Sequence, residues 1–263
     1  MEQPTLIDHP QIRSILFHPR GEEGYSLAPG ARELRFPVDT NVTLGARLYP
    51  TTSPQAPLLL YWHGNGEIAA DYDDISQLYT GMGIHFLVVD FRGYGISTGT
   101  PSGTALLRDA VTVVDLIPTI VQPHLPPFNR LLVMGRSMGS AATIEIAWQR
   151  AQKIHGIILE SPFAYTIALI ERLGGFSLNS TPESVGFNSL EKIRSIALPL
   201  LLIHGQADDL IPISDSQALY DASASDKKRF VRIPQAGHND LMLQGMGVYF
   251  QAIGQFVAGI STP

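Results

Sequence analysis

The sequence predicts an α/β domain: a mostly parallel central sheet with helices on both faces. Two observations carry that prediction. Apolar runs of strand length alternate with segments of helical periodicity from Leu58 to the C-terminus. The residues with chemistry to offer, Ser137, Asp208 and His238, each fall just past the end of such a run, where open parallel sheets gather their active sites. At 263 residues the chain has the length of one such domain, spanning 1–263 and able to bury roughly three quarters of its unfolded surface.

Taken in order, the segment to about Pro29 is poorly patterned and is expected to wrap the surface. Glu33–Val38 and Val42–Tyr49 alternate as an antiparallel hairpin does, turning at Asp39-Thr40-Asn41. Parallel strands are expected at Leu58–Trp62, His85–Asp90, Leu131–Gly135, Gly156–Glu160, Leu200–His204 and Phe230–Ile233. Helices lie between them, as right-handed crossovers require. The clearest is Ala105–Ile117, ended by Pro118 and the loop Gln122–Pro127. After the sixth strand, about Pro162 to Ile196, comes the candidate lid, short and marked by Gly174-Gly175. A helix around Tyr165–Leu173 sets Ile167, Leu169, Ile170 and Leu173 over the cleft or against the core, and the core is the expectation. No internal repeat or low-complexity linker interrupts the chain.

The densest chemical signal is Gly135-Arg136-Ser137-Met138-Gly139, between a buried strand and a helix. A serine on such a turn is lifted above the sheet, and the glycines let neighbouring backbone approach. A serine hydroxyl is a weak nucleophile at neutral pH, so a base and an orienting acid must follow. Asp208, in the loop after Leu200–His204, is the acid, and His238, after Gly237, is the base. Asp209 reads better as a cap for the helix beginning near Ser214, and Glu160, ending its own strand, is a competing acid. The other histidines lack the strand-end position of His238, and His204 is expected to pack inside or bond locally. Acyl transfer also needs donors for a developing oxyanion. The backbone N–H of Met138 supplies one, and that of Asn65, in the turn after Leu58–Trp62, the other, with Gly66 as its alternative. Arg136 reads as a salt-bridging loop residue rather than a contact to a substrate anion.

Composition narrows the partners. The net charge is −6 and no basic stripe appears; Lys227-Lys228-Arg229 reads as a solvated loop, so no nucleic acid is expected. Zero cysteines exclude disulfides, thiolate metal sites, a cysteine nucleophile and S-palmitoylation. No positive, then apolar, leader opens the chain, and no apolar run approaches a membrane span. The expectation is a cytoplasmic enzyme without stable membrane insertion, needing no metal or organic cofactor and acting on a small ester or acyl compound.

His63-Gly64-Asn65-Gly66, Gly135-Arg136-Ser137-Met138-Gly139, His204-Gly205-Gln206-Ala207-Asp208 and Gly237-His238 together resemble the α/β-hydrolase superfamily. Asp90-Phe91-Arg92-Gly93-Tyr94-Gly95-Ile96-Ser97 and Glu160-Ser161-Pro162-Phe163 are similar to loops of the lineage that includes bacterial esterases and eukaryotic depalmitoylases. The resemblance spans roughly Arg32 to the C-terminus. It implies the α/β-hydrolase fold with a short lid after the sixth strand, and structural roles for Asp90 and Arg92 near the elbow. The expected activity is hydrolysis of short or medium acyl esters through an acyl-enzyme. Thioesterase, amidase, peptidase and acyltransferase activities use the same machinery, and a hydrolase-fold protein that only binds its ligand is the non-catalytic alternative.

Overall fold

Period-two alternation sorts the strand residues into two cores, one on each side of a single sheet. The computed structural model describes residues 5–24, 26–179 and 181–260. Its strands are β1 (Arg32–Asp39), β2 (Val42–Tyr49), β3 (Leu58–Trp62), β4 (His85–Val89), β5 (Leu131–Arg136), β6 (Gly156–Glu160), β7 (Leu200–Gly205) and β8 (Lys228–Ile233). They form one eight-stranded sheet in the order β1-β2-β4-β3-β5-β6-β7-β8. Only β2 opposes its neighbours β1 and β4; every other adjacent pair is parallel. The helices are α1 (Pro10–Leu16), α2 (Asp73–Gly81), α3 (Gly103–Ile120), α4 (Met138–Arg150), α5 (Thr166–Gly174), α6 (Ser189–Ile193), α7 (Ile213–Ala222) and α8 (Leu241–Gly259).

Leu58, Leu60, Trp62, Val133, Ile157, Leu159 and Leu202 face α1, α3, α4, α5, α6 and α7. Their neighbours in sequence, Leu59, Tyr61, Leu132, Met134, Ile158 and Leu201, face α2 and α8. A strand buried on both faces has no polar face to present, which is why the central strands read as continuous apolar runs. This is the α/β-hydrolase fold. Its loops at the carboxyl ends of β3, β5, β6, β7 and β8 share one edge of the sheet, and the site lies there.

Four local readings need correction. The N-terminal segment is not patternless: Pro10 opens α1, and Ile12 and Leu16, one turn apart, are buried on the first core. The helix α3 does not stop before Pro118 but runs through it to Ile120. Proline there forfeits one hydrogen bond near the helix end, while Ile117 and Val121 hold the last turns on the core. Lys228 and Arg229 lie within β8 rather than in a loop, and Lys228 Nζ donates to the carbonyls of Tyr220 and Ser223. Asp209 is exposed and does not cap α7, whose N-terminus carries no side-chain cap. In the lid, Ile167, Leu169 and Ile170 of α5 are buried while Leu173 is exposed. The first three therefore belong to the core, and the cap adds little apolar surface of its own.

Candidate active site

Ser137 links β5 to α4 with φ 51° and ψ −115°, backbone that a non-glycine residue holds only when its surroundings enforce it. Two close approaches do so. A Cβ added at Gly135 would lie 2.1 Å from the Gly139 carbonyl oxygen, and one at Gly139 would lie 2.1 Å from that of Trp62. The chain can turn this tightly only with glycine at both places. The Ser137 N–H donates to the Glu160 carbonyl at 2.9 Å, anchoring the turn to the neighbouring strand end.

His238 Nε2 lies 3.1 Å from Ser137 Oγ, and His238 Nδ1 lies 2.8 Å from Asp208 Oδ2. The carboxylate fixes the tautomer: Nδ1–H donates to it, so Nε2 is free to accept the serine proton. Residues 137, 208 and 238, scattered along the chain, thus form one continuous hydrogen-bonded series. Asp208 is itself tightly held. Its Oδ1 accepts the N–H groups of Leu210 and Ile211 at 3.0 and 2.8 Å. Its Oδ2 also faces His204 Nε2 at 3.1 Å. That nitrogen is 2.9 Å from the Ile211 carbonyl as well, so it carries the proton, and Nδ1 accepts from Ser216 Oγ at 2.7 Å. Burial pulls the Asp208 carboxyl upward, but the hydrogen bonds from His204 and His238 outweigh it and hold the pKa well below the ordinary aspartate value. His204 does bond locally, and its partner is the acid itself.

The other acid candidates stand apart. Glu160 is buried, but its carboxylate accepts from Arg136 Nε at 3.1 Å and Tyr249 Oη at 2.7 Å rather than from His238. Ser161, at the next strand end, shares the positive φ of Ser137, yet its fully buried hydroxyl meets no hydrogen-bond partner, histidine included, among the described residues.

On the opposite flank of Ser137 lies the loop after β3. Its Asn65 N–H and the Met138 N–H at the start of α4 meet no acceptor among the described residues. The Asn65 side chain is held by three hydrogen bonds: Oδ1 accepts the His18 N–H at 2.9 Å and Tyr94 Oη–H at 2.6 Å, and Nδ2 donates to His18 Nδ1 at 3.0 Å. Arg20 Nε adds a bond to the Gly66 carbonyl at 3.0 Å. Nothing in the pattern of residues 18–20 marks them as partners of this loop. The loop after β4 is braced in turn, with Asp90 Oδ1 accepting the Ala69 N–H at 2.7 Å and Arg92 forked onto Asp109 at 2.5 and 2.8 Å.

Arg136 is not at the surface. Its side chain is 10 % exposed and sits beneath the elbow, paired with Glu67 and Glu160. Its Nη2 donates to the His238 carbonyl at 2.7 Å and to Asn239 Oδ1 at 3.1 Å. Among the described residues, no group of three or more His, Asp or Glu side chains is arranged to hold a metal ion, and no helix is long and apolar enough to cross a membrane.

A nucleophile, a base, an acid and two unoccupied amides at one sheet edge can carry acyl transfer. Comparison with known proteins agrees at the level of fold and class. The chain is 31% identical over 231 residues to protein bem46 of Schizosaccharomyces pombe, covering 84% of this chain and 75% of that one. It is 30% identical over 260 residues to the uncharacterized protein MT2364 of Mycobacterium tuberculosis, covering 96% of this chain and 89% of that one. The esterase Pf2001 of Pyrococcus furiosus superposes with a TM-score of 0.77 at 21% identity, over 92% of this chain and 98% of the esterase. A model of the family described as serine aminopeptidase, S33, matches residues 53–178 and 186–242. With most of its length matched, the chain belongs to that serine aminopeptidase S33 family, a hydrolase of the α/β-hydrolase superfamily.

Proposed function

We propose that this hydrolase is a serine esterase that cleaves short or medium acyl esters through an acyl-enzyme on Ser137. The observation that carries the reading is the unbroken series from Ser137 Oγ through His238 to Asp208, with contacts of 3.1 and 2.8 Å. In the first half-reaction His238 Nε2 takes the serine proton as Oγ attacks the ester carbonyl. The imidazolium is stabilised by Asp208, and the amides of Met138 and Asn65 receive the oxyanion. His238 then protonates the departing alcohol. In the second half-reaction it activates the water that releases the acid. None of these steps calls on a metal or a cofactor.

The modest cap supports short or medium acyl groups, because α5 turns its large aliphatic side chains into the core. A small ester or acyl compound in the cytoplasm is the substrate this reading expects, with no nucleic-acid partner.

Hydrolysis of p-nitrophenyl esters of increasing acyl length, by wild type and Ser137→Ala, tests the proposal. The expected result is turnover that peaks at short or medium chains and vanishes in the variant. Turnover that survives in Ser137→Ala removes the serine mechanism. A preference for long chains removes the assigned specificity. A folded wild type inert to every ester moves the reading to amides, thioesters or ligand binding.

A further inference from the structure

We infer that Arg136 is a positioning residue, a guanidinium clamp that sets the base loop and the oxyanion loop in register about Ser137; the inference rests on the serine-hydrolase reading above. Arg136 immediately precedes the nucleophile, yet its side chain touches neither the hydroxyl of Ser137 nor the imidazole of His238. It turns beneath the elbow and spends its donors on two loops and the end of β6. Nε reaches Glu160 Oε1 at 3.1 Å, at the end of β6. Nη2 reaches the carbonyl oxygen of His238 at 2.7 Å and Asn239 Oδ1 at 3.1 Å, in the loop after β8. Nη1 pairs with Glu67, in the loop after β3.

Glu67 carries the connection onward. Its Oε2 accepts the Gly64 N–H at 2.7 Å and Tyr72 Oη–H at 2.6 Å, one residue from the proposed donor Asn65. The packing leaves no slack: a Cβ on Gly64 would lie 2.7 Å from Arg136 Nη1 and 3.0 Å from Glu67 Oε2. The backbone that presents the base and the backbone that presents the oxyanion amide are therefore joined through one planar fork. A guanidinium supplies several donors in fixed directions, which an ammonium cannot reproduce. Two carboxylates, Glu67 and Glu160, balance its charge, so a substrate anion would find no free cation here.

The experiment uses the full-length protein, with p-nitrophenyl butyrate as substrate and a trifluoromethyl ketone as mimic of the tetrahedral oxyanion. Arg136→Lys keeps the charge and loses the fork. The expected result is a fall in kcat of about 100-fold with little change in KM, the scale on which misplacement by about 1 Å costs rate. Affinity for the ketone falls in parallel, and guanidinium added to Arg136→Ala restores part of kcat. Glu67→Gln, which cuts the link to the β3 loop but leaves the contact to His238, is expected to lower kcat by a smaller factor, about tenfold.

A folded Arg136→Lys with wild-type kcat and ketone affinity overturns the clamp. So does a variant that melts earlier with catalysis unchanged, since that is a purely structural role. Should Arg136→Lys not fold, Glu67→Gln decides by the same criterion. Ser137→Ala measured alongside separates the two claims. If it retains turnover, the serine reading fails. If it is inert while the Arg136 and Glu67 variants are unimpaired, only the clamp fails.

Discussion

The two flanks of Ser137 are built in opposite ways. On the acid–base flank, Asp208 is held by amides two and three residues ahead and by His204 four residues behind. On the oxyanion flank, Asn65 is held by His18, 47 residues away, and by Tyr94, 29 residues away. The first arrangement closes within one strand and its loop. The second exists only once the N-terminal segment, the β4 loop and the β3 loop have been brought together by the whole fold. Contacts with that much intervening chain close at a larger entropic cost, and they are lost when any one participant opens. Within one serine site, then, the acid is held by its own strand and loop, while the oxyanion loop is held by distant chain.

The largest effect is expected at the acid. Asp208→Asn presents an amide N–H₂ to His238 Nδ1 and favours the wrong tautomer, so kcat is expected to fall by about 10⁴-fold with the fold intact. A steady-state assay with circular dichroism as the fold control checks it, and a loss under tenfold would mean another group serves His238. Asn65→Ala keeps the backbone donor but frees it from His18 and Tyr94. Its effect is expected to be smaller, about tenfold in kcat, below the loss seen when an oxyanion donor is deleted outright. His18→Ala should follow it in the same direction. Equal kcat in all three proteins would show that the bonds to His18 and Tyr94 are not what positions the Asn65 amide.

A smaller effect separates the flanks by pH. The folded state holds Asp208 below its ordinary pKa, so it binds that proton less readily than the unfolded chain does. The stability Asp208 contributes is complete above the unfolded value of about 3.9 and is lost as pH falls through the lowered folded value. The melting-temperature gap between wild type and Asp208→Asn should therefore be widest near neutrality and narrow below about pH 4. A gap that widens in acid would reverse the sign of this linkage.

The same division governs what can be read from the sequence. Gly135–Gly139, the acid loop after β7 and Gly237-His238 are each local, and each announces its backbone geometry within a few residues. The continuous apolar runs Leu58–Trp62 and Leu131–Met134 likewise report the parallel sheet directly, because strands buried on both faces tolerate little else. The bonds of His18 to Asn65 could not be read, since residues 17–24 lack any period that points to a distant loop. Arg136 reads as a loop salt bridge because its motif does not say which strands flank β5. The sheet order sets β3 and β6 on either side of it, and that order turns a motif filler into a junction of two loops and the end of β6. Helix α1 is not legible for a simpler reason: seven residues with two buried positions make too short a pattern. Pro118 reads as a helix stop by the behaviour of helix interiors, but it lies near a helix end, where packing of Ile117 prevails.

The most direct test of the account is the site of covalent capture. The protein is treated with a fluorophosphonate, digested, and the adduct mapped by mass spectrometry, with His238→Gln and Ser137→Ala as companions. A single adduct on Ser137 is expected, formed far more slowly in His238→Gln and absent from Ser137→Ala. An adduct on another residue, or rapid labelling that ignores the loss of His238, would contradict it.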